Sequence, residues 1–339
     1  MLVLLASLTS ISVNAQQDPM YSQYMFNMVS VNPAYTGARD MLTMTAMYRK
    51  QWVGVEGAPT TMTFSIDAPV KNQRMALGLN VVNDQIGISK NLTMNALYAY
   101  RVRFNNRAIL SLGLQAGLGQ YSADYTSVRT SNNYGGTDSD RAFGSNVSQF
   151  FPNAGFGAYY YSNRFFAGIG VPKLIKNNLA GLNRPTLDFT SFMNRQNRHM
   201  FISSGYTFDL NQDWQAKPSV MVKGVKGAPI QTDINFNAWW KNSVGAGISY
   251  RTSDAVVAMV EFKPRKEIHI GYAFDYTVSQ FSGANGGSHE LLLRYEPHAS
   301  KVRPQSSSVY KSRPAYKSNP KKYQTKKRKQ INKRRSKIR

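Results

Sequence analysis

Between residues 42 and 296 apolar and polar side chains alternate position by position, over stretches too long to be ordinary soluble strands. In 92–104 the even positions carry Leu92, Met94, Ala96, Tyr98, Tyr100, Val102 and Phe104, while Thr93, Asn95, Arg101 and Arg103 fall on odd ones. In 230–240 Ile230, Ile234, Phe236 and Trp240 alternate with Gln231, Asp233, Asn235 and Asn237. In 268–278 Ile270, Tyr272, Phe274 and Tyr276 alternate with His269, Gly271, Ala273 and Asp275. Successive side chains on a strand point to opposite faces, so each stretch has one apolar and one polar face. Similar stretches at 42–52, 60–69, 74–83, 107–121, 152–161, 164–171, 198–209, 213–224, 242–252, 254–263 and 287–296 bring the number to fourteen. Most are longer than the ~5–6 residues common in soluble sheets. They match the ~9–11 residues of a tilted strand that crosses a bilayer.

Two architectures use such strands. A soluble sandwich or propeller turns the apolar faces inward. An outer-membrane barrel turns them toward lipid, lines its lumen with the polar faces and closes on itself so that no edge remains. Aromatic residues recur near the strand ends, at Trp52, Phe104, Tyr121, Trp240, Tyr250, Phe262, Tyr276 and Tyr295, where a membrane girdle would lie. The sequence therefore favours an all-β fold, a transmembrane antiparallel β-barrel of fourteen strands.

The flanks differ from this body. "MLVLLASLTSISVNA" is an apolar run with Val13 and Ala15 before "QQD", which reads as a signal peptide over 1–15 cleaved after Ala15. No later run approaches the ~18–20 apolar residues of a spanning helix. The formal charge is +24, of which sixteen Lys and Arg with no Asp or Glu fall in 297–339. That segment also holds Pro304, Pro314 and Pro320 and many Ser, so it has too little apolar surface to offset its ordering entropy. The predicted organisation is a signal peptide over 1–15, a plug or docking segment over 16–41, a barrel over 42–296 and a disordered basic tail over 297–339. An even number of strands puts both ends of the barrel on one side, by analogy the periplasmic side. The longest gaps, 122–151 and 172–197, then fall outside the cell.

Chemistry is hard to find. The chain has no cysteine, which excludes a disulfide scaffold or a Cys-based metal or redox site. Gly113, Gly117 and Gly119 lie within an alternating strand and lack the strand–turn–helix setting of a phosphate loop. No HExxH spacing occurs among His199, His269, His289 and His298. Ser288 and His289 suggest a hydrolase, but neighbours on a strand face opposite ways and cannot act as nucleophile and base. The sequence predicts no catalytic residue, no cofactor and no metal. Arg49, Asp67, Arg101, Arg103, Asp233, Glu261, Lys263, Asp275 and Arg294 are expected to face the lumen with mixed signs. The basic tail could in principle bind nucleic acid. In an exported protein its available partners are instead anionic: peptidoglycan carboxylates, lipid or acidic protein.

Residues 18–37, "DPMYSQYMFNMVSVNPAYTG", together with "RKQWVGVEGAPTTMTFSIDAPV" (49–70), "NDQIGIS" (83–89), "GYAFDYTVSQFS" (271–282) and "GSHELLLRY" (287–295), resemble the PorP/SprF family of the Bacteroidetes type IX secretion system. The resemblance implies a non-enzymatic outer-membrane barrel. Its partners would be periplasmic ring and anchor components of the secretion machine, and its role to support secretion or surface attachment of cargo such as gliding adhesins. A channel for small solutes is the alternative that the barrel pattern alone would suit. The tail lies outside the resemblance.

In the opening stretch Tyr21, Tyr24, Met25 and Met28 fall at helical spacing, with Asp18 placed to cap the helix and Pro19 at its first position. "NPAYTG" reads as a turn into the first strand. These four residues, with Asn32, Pro33 and Tyr35, are the candidate partner-binding residues. They would either plug the periplasmic mouth or present an adaptable Met- and Tyr-rich docking surface there.

Overall fold

The computed structural model describes residues 20–70, 73–104, 108–124, 146–177, 198–225, 228–279 and 282–297. The expected signal peptide, the Asp18–Pro19 cap, most of the two long connections and the tail beyond Pro297 lie outside the described residues.

Fifteen strands form one antiparallel sheet: β1 Thr43–Lys50, β2 Thr60–Val70, β3 Met75–Ile86, β4 Ser89–Arg103, β5 Ile109–Ala123, β6 Val147–Tyr161, β7 Phe165–Val171, β8 His199–Tyr206, β9 Phe208–Asp209, β10 Trp214–Val225, β11 Gln231–Trp240, β12 Val244–Arg251, β13 Ala255–Arg265, β14 Ile268–Thr277 and β15 Ser288–Tyr295. Neighbours in sequence pair with one another, and β15 pairs with β1 from Met44↔Tyr295 to Lys50↔His289. The ring is therefore closed, a fourteen-stranded barrel in which every strand has two partners.

The single stretch expected over 198–209 is broken. The Thr207 amide donates to the Arg164 carbonyl at 2.7 Å, while Phe208 and Asp209 pair with Ala216 and Gln215 of β10. β9 is thus a two-residue continuation of β8, not a fifteenth member of the ring. The strands also run further than the alternation suggests: β6 starts at Val147 and β4 at Ser89. Backbone pairing continues there after the contrast between the faces fades.

The alternation resolves as lipid-out and polar-in. On β4 Leu92, Met94, Tyr98 and Tyr100 are exposed, whereas Thr93, Asn95 and Arg101 are buried. A soluble sandwich would show the reverse. Phe104, Trp240, Phe262 and Tyr295 are exposed near one end of the ring, and Tyr250 and Tyr276 near the other. Tyr121 departs from the expected girdle: it sits on the inward face, beside Phe151, with its hydroxyl 3.0 Å from that of Ser89.

Antiparallel order puts the long connections after β5 and β7 at one end of the ring. Short turns such as 162–164 and 241–243 lie at the other, with the start of β1 and the end of β15. Residues 20–42 occupy the lumen between these ends. The single helix suggested by the Tyr and Met spacing is replaced by three 3-10 turns, η1 Tyr24–Phe26, η2 Met28–Ser30 and η3 Pro33–Tyr35. The reason is competition from the barrel wall. Glu290 takes the amides of Ser22 and Gln23, and Arg294 donates to the Phe26 carbonyl that a longer helix would use.

Candidate functional site: the plugged lumen

The plug crosses the lumen lengthwise. Ser22 lies beside Asp275 and Glu290, next to the end of β14 and the start of β15, which is the long-connection end. Gly37 and Arg39 meet Asp67 and Glu296 at the short-turn end. The segment was expected at the same mouth as the tail; its first described residues lie at the opposite one. The cause is the anchoring network, whose members the strand register fixes at that end.

That network is built from inward-facing positions. Arg49 on β1 bridges Glu290 (Nη1–Oε2 3.1 Å) and Asp275 (Nη2–Oδ2 2.8 Å). Arg251 on β12 contacts Asp233 at 3.1 Å, and Asp254 and Asp275 each at 3.3 Å. The Ser22 hydroxyl donates to Asp275, and the Ser22 and Gln23 amides donate to Glu290, both at 2.8 Å. Four carboxylates thus meet two guanidinium groups, and donors from the plug supply part of the difference.

Beyond that network the plug is held by neutral hydrogen bonds and apolar packing. Tyr21 bonds Thr63 at 2.8 Å, Asn235 donates to the Tyr24 hydroxyl, and Ser65 donates to Asn27 at 3.0 Å. Met25, Met28, Val29 and Tyr35 form one buried cluster with Met47, Leu97, Tyr159, Phe201 and Leu292 of the wall. Asn32 caps η3 by accepting from the Ala34 amide at 3.0 Å, and its amide group donates to the Ala158 carbonyl at 3.1 Å. Glycine makes this approach possible. A Cβ on Gly113 would lie 2.2 Å from the Ala34 nitrogen, and one on Gly157 would lie 2.1 Å from Asn32 Oδ1.

At the short-turn end Asp40 accepts from Arg101, which also donates to the Tyr161 hydroxyl at 2.7 Å. Arg39 is bound to Glu296. Burial alone would raise the Glu296 carboxyl, but Arg39 and the His269 hydrogen bond outweigh it and hold that group well below the usual carboxylate range.

All seven candidate residues, Tyr21, Tyr24, Met25, Met28, Asn32, Pro33 and Tyr35, are brought together, but as buried plug against barrel wall and not as a surface. Of the expected lumen charges, most are buried; Lys263 is half-buried and Arg103 is exposed near Asp40. Ser288 faces inward and accepts from the Trp52 amide, while His289 faces outward and bonds the Tyr272 hydroxyl at 2.7 Å, so the two do not form a catalytic pair. Sequence reasoning missed Glu290 and Arg251, although both share strand register with the inward-facing Arg294 and Ser249. It also missed Ser22, Gln23, Arg39 and Asp40, which carry no local signal. The spaces left inside the ring are small recesses between plug and wall.

A family model described as "Type IX secretion system membrane protein PorP/SprF" matches residues 13–295. No curated protein sequence matches the chain. Among solved structures, the Acinetobacter baumannii outer membrane protein Omp33 is similar at 8% identity and a TM-score of 0.44, over 76% of this chain and 99% of that one. A Pseudomonas aeruginosa FadL homologue is similar at 14% identity and a TM-score of 0.43, over 84% and 96% respectively.

Proposed function

Because the chain belongs to the PorP/SprF family of type IX secretion system membrane proteins, we propose that it is a non-enzymatic outer-membrane barrel that docks periplasmic ring or anchor components and supports secretion or surface attachment of cargo such as adhesins. In this reading 1–15 is removed on export, 16–41 is the plug, 42–296 is the barrel and 297–339 is a free basic tail. The short-turn end and the tail face the periplasm, and the long connections face outward. The tail engages an anionic partner there, peptidoglycan or an acidic protein.

One observation carries the reading: the lumen is occupied by the chain's own N-terminal segment, tied to the wall by ion pairs and hydrogen bonds along its length. A filled lumen suits a scaffold and argues against a channel for small solutes. The seven plug residues then serve to hold the segment in place, and their Met and Tyr surface becomes available to a partner only when the plug leaves.

Affinity purification from detergent-solubilised outer membranes should recover type IX components or a secreted surface protein; recovery of neither overturns the docking role. In planar bilayers the intact barrel should be silent, and removal of 16–41 should open it. Steady conductance of the intact protein would restore the channel reading.

A further inference from the structure

We infer that the short-turn end of the lumen is a binding site for a peptide's terminal carboxylate together with the apolar side chain and amide that accompany it. The site is a small recess at that end of the lumen. Met25 and Phe26 of the plug and Trp239 of β11 form its apolar wall, and Thr207 and Asn242, both in turns of the short-turn end, also line it.

Its charge does not balance. Arg39, Lys217, Lys263 and Arg294 line the cavity with one carboxylate, Glu261, while Glu296 and Asp67 stand behind Arg39 and Arg294. Every oxygen of Glu261 and Glu296 is already engaged. Glu261 accepts from Trp239 Nε1 at 3.0 Å and faces His269 Nδ1 at 3.1 Å. Glu296 holds Arg39 and faces His269 Nε2 at 3.2 Å. Lys263 is left with the Asn242 side-chain oxygen at 2.9 Å. Lys217 lies 5.0 Å from the centroid of the Phe166 ring, and no carboxylate among the described residues is within ion-pair distance of it. Arg294, only 1% exposed, donates to the Phe26 carbonyl, and its Nε has no partner. Arg294 is buried while Lys217 and Lys263 are half-buried; a buried cation without full counter-charge is costly, and an entering carboxylate offsets that cost.

A second unmet atom narrows the ligand beyond a bare anion. Gln215 lines the same cavity, is buried, and its side-chain oxygen accepts nothing. It needs an N–H donor. A C-terminal residue offers a carboxylate for the cations, a backbone N–H for Gln215 and a side chain for the apolar wall. Inorganic phosphate or a lipid phosphate satisfies only the first. The sixteen basic residues of 297–339 supply no side-chain carboxylate for the site.

The inference deepens the docking reading by naming what the periplasmic mouth would take. Its test needs no secretion partner, so its failure is distinct from a failed purification. The full-length barrel in a non-ionic detergent is titrated with N-acetyl-Leu-Phe, with the corresponding C-terminal amide, and with inorganic phosphate, following tryptophan fluorescence. The acid should bind saturably, and Trp239→Phe should abolish the signal while the barrel keeps its heat-modifiable mobility on gels. Lys217→Gln and Lys263→Gln should each weaken binding about tenfold, as expected for loss of a charged hydrogen-bond partner. Equal binding of acid and amide would mean an apolar hole only, and phosphate binding as tightly as the acid would mean a bare anion site. Either result overturns the inference, as does no binding, or unchanged affinity in both Lys217→Gln and Lys263→Gln.

Discussion

The two ends of the lumen are built from the same residue types with opposite surpluses. At the long-connection end Asp233, Asp254, Asp275 and Glu290 outnumber Arg49 and Arg251, and the plug's own amides and hydroxyl cap the excess acid. At the short-turn end Arg39, Arg101, Lys217, Lys263 and Arg294 outnumber Glu261, Glu296, Asp40 and Asp67 by one, and Glu261 is the one carboxylate lining the cavity that Arg39, Lys217, Lys263 and Arg294 share. A plug backbone can donate to carboxylates through its N–H groups, but it has only carbonyls to offer cations. The acid-rich end is therefore satisfied from within the chain, and the base-rich end is left with capacity for something from outside.

The largest effect that would sharpen this contrast comes from the acid-rich end. Arg49→Met leaves Glu290 and Asp275 buried without their main counter-ion and should cost roughly 3–5 kcal/mol in urea unfolding of the detergent-folded barrel. A cost near zero would mean that the network does not anchor the plug. Gly113→Val forces a side chain into the Ala34 backbone. It should cost about 1–3 kcal/mol by overpacking, with residues 20–42 becoming open to protease while the strands stay folded.

Lys217→Met at the base-rich end should be neutral or stabilising, within about 1 kcal/mol, because it removes a charge without an ion-pair partner. If it costs as much as Arg49→Met, the contrast between the ends is wrong. The smallest effect is with pH. The Glu296 carboxyl is held below its ordinary value, so its contribution is fully present above the unfolded value of ~4.3 and is lost only as pH falls through the lower folded value. Because His269, 3.2 Å away, can only favour the carboxylate more as the pH falls, the stability difference between the parent and Glu296→Gln should be at least as large at pH 5 as at pH 7. A difference that vanished by pH 5 would mean that Arg39 does not hold Glu296 ionised.

The barrel was legible because its signal repeats. Each of Leu92 to Phe104, Ile230 to Trp240 and Ile268 to Tyr276 reports the same two faces, and a bilayer demands one sign of that contrast over a fixed length. Strand ends were less legible, since at Val147 and Ser89 the ladder continues where the faces no longer differ. The plug was legible only in part. Tyr21, Tyr24, Met25 and Met28 announce an apolar surface, and Asn32–Pro33 announces a turn, but helical spacing presumes that backbone groups bond one another. In the lumen Glu290 and Arg294 compete for them, and the segment breaks into three short turns.

What the sequence determined by itself was the closed antiparallel barrel and the sidedness of its strands, because side-chain alternation is local and is written into every segment. Only the tertiary structure decided that the lumen is full, which end receives Ser22, and where charge is left over. Those outcomes depend on which inward positions of non-adjacent strands come face to face. Arg49, Asp275 and Glu290 lie far apart in the chain and meet only once the ring has closed.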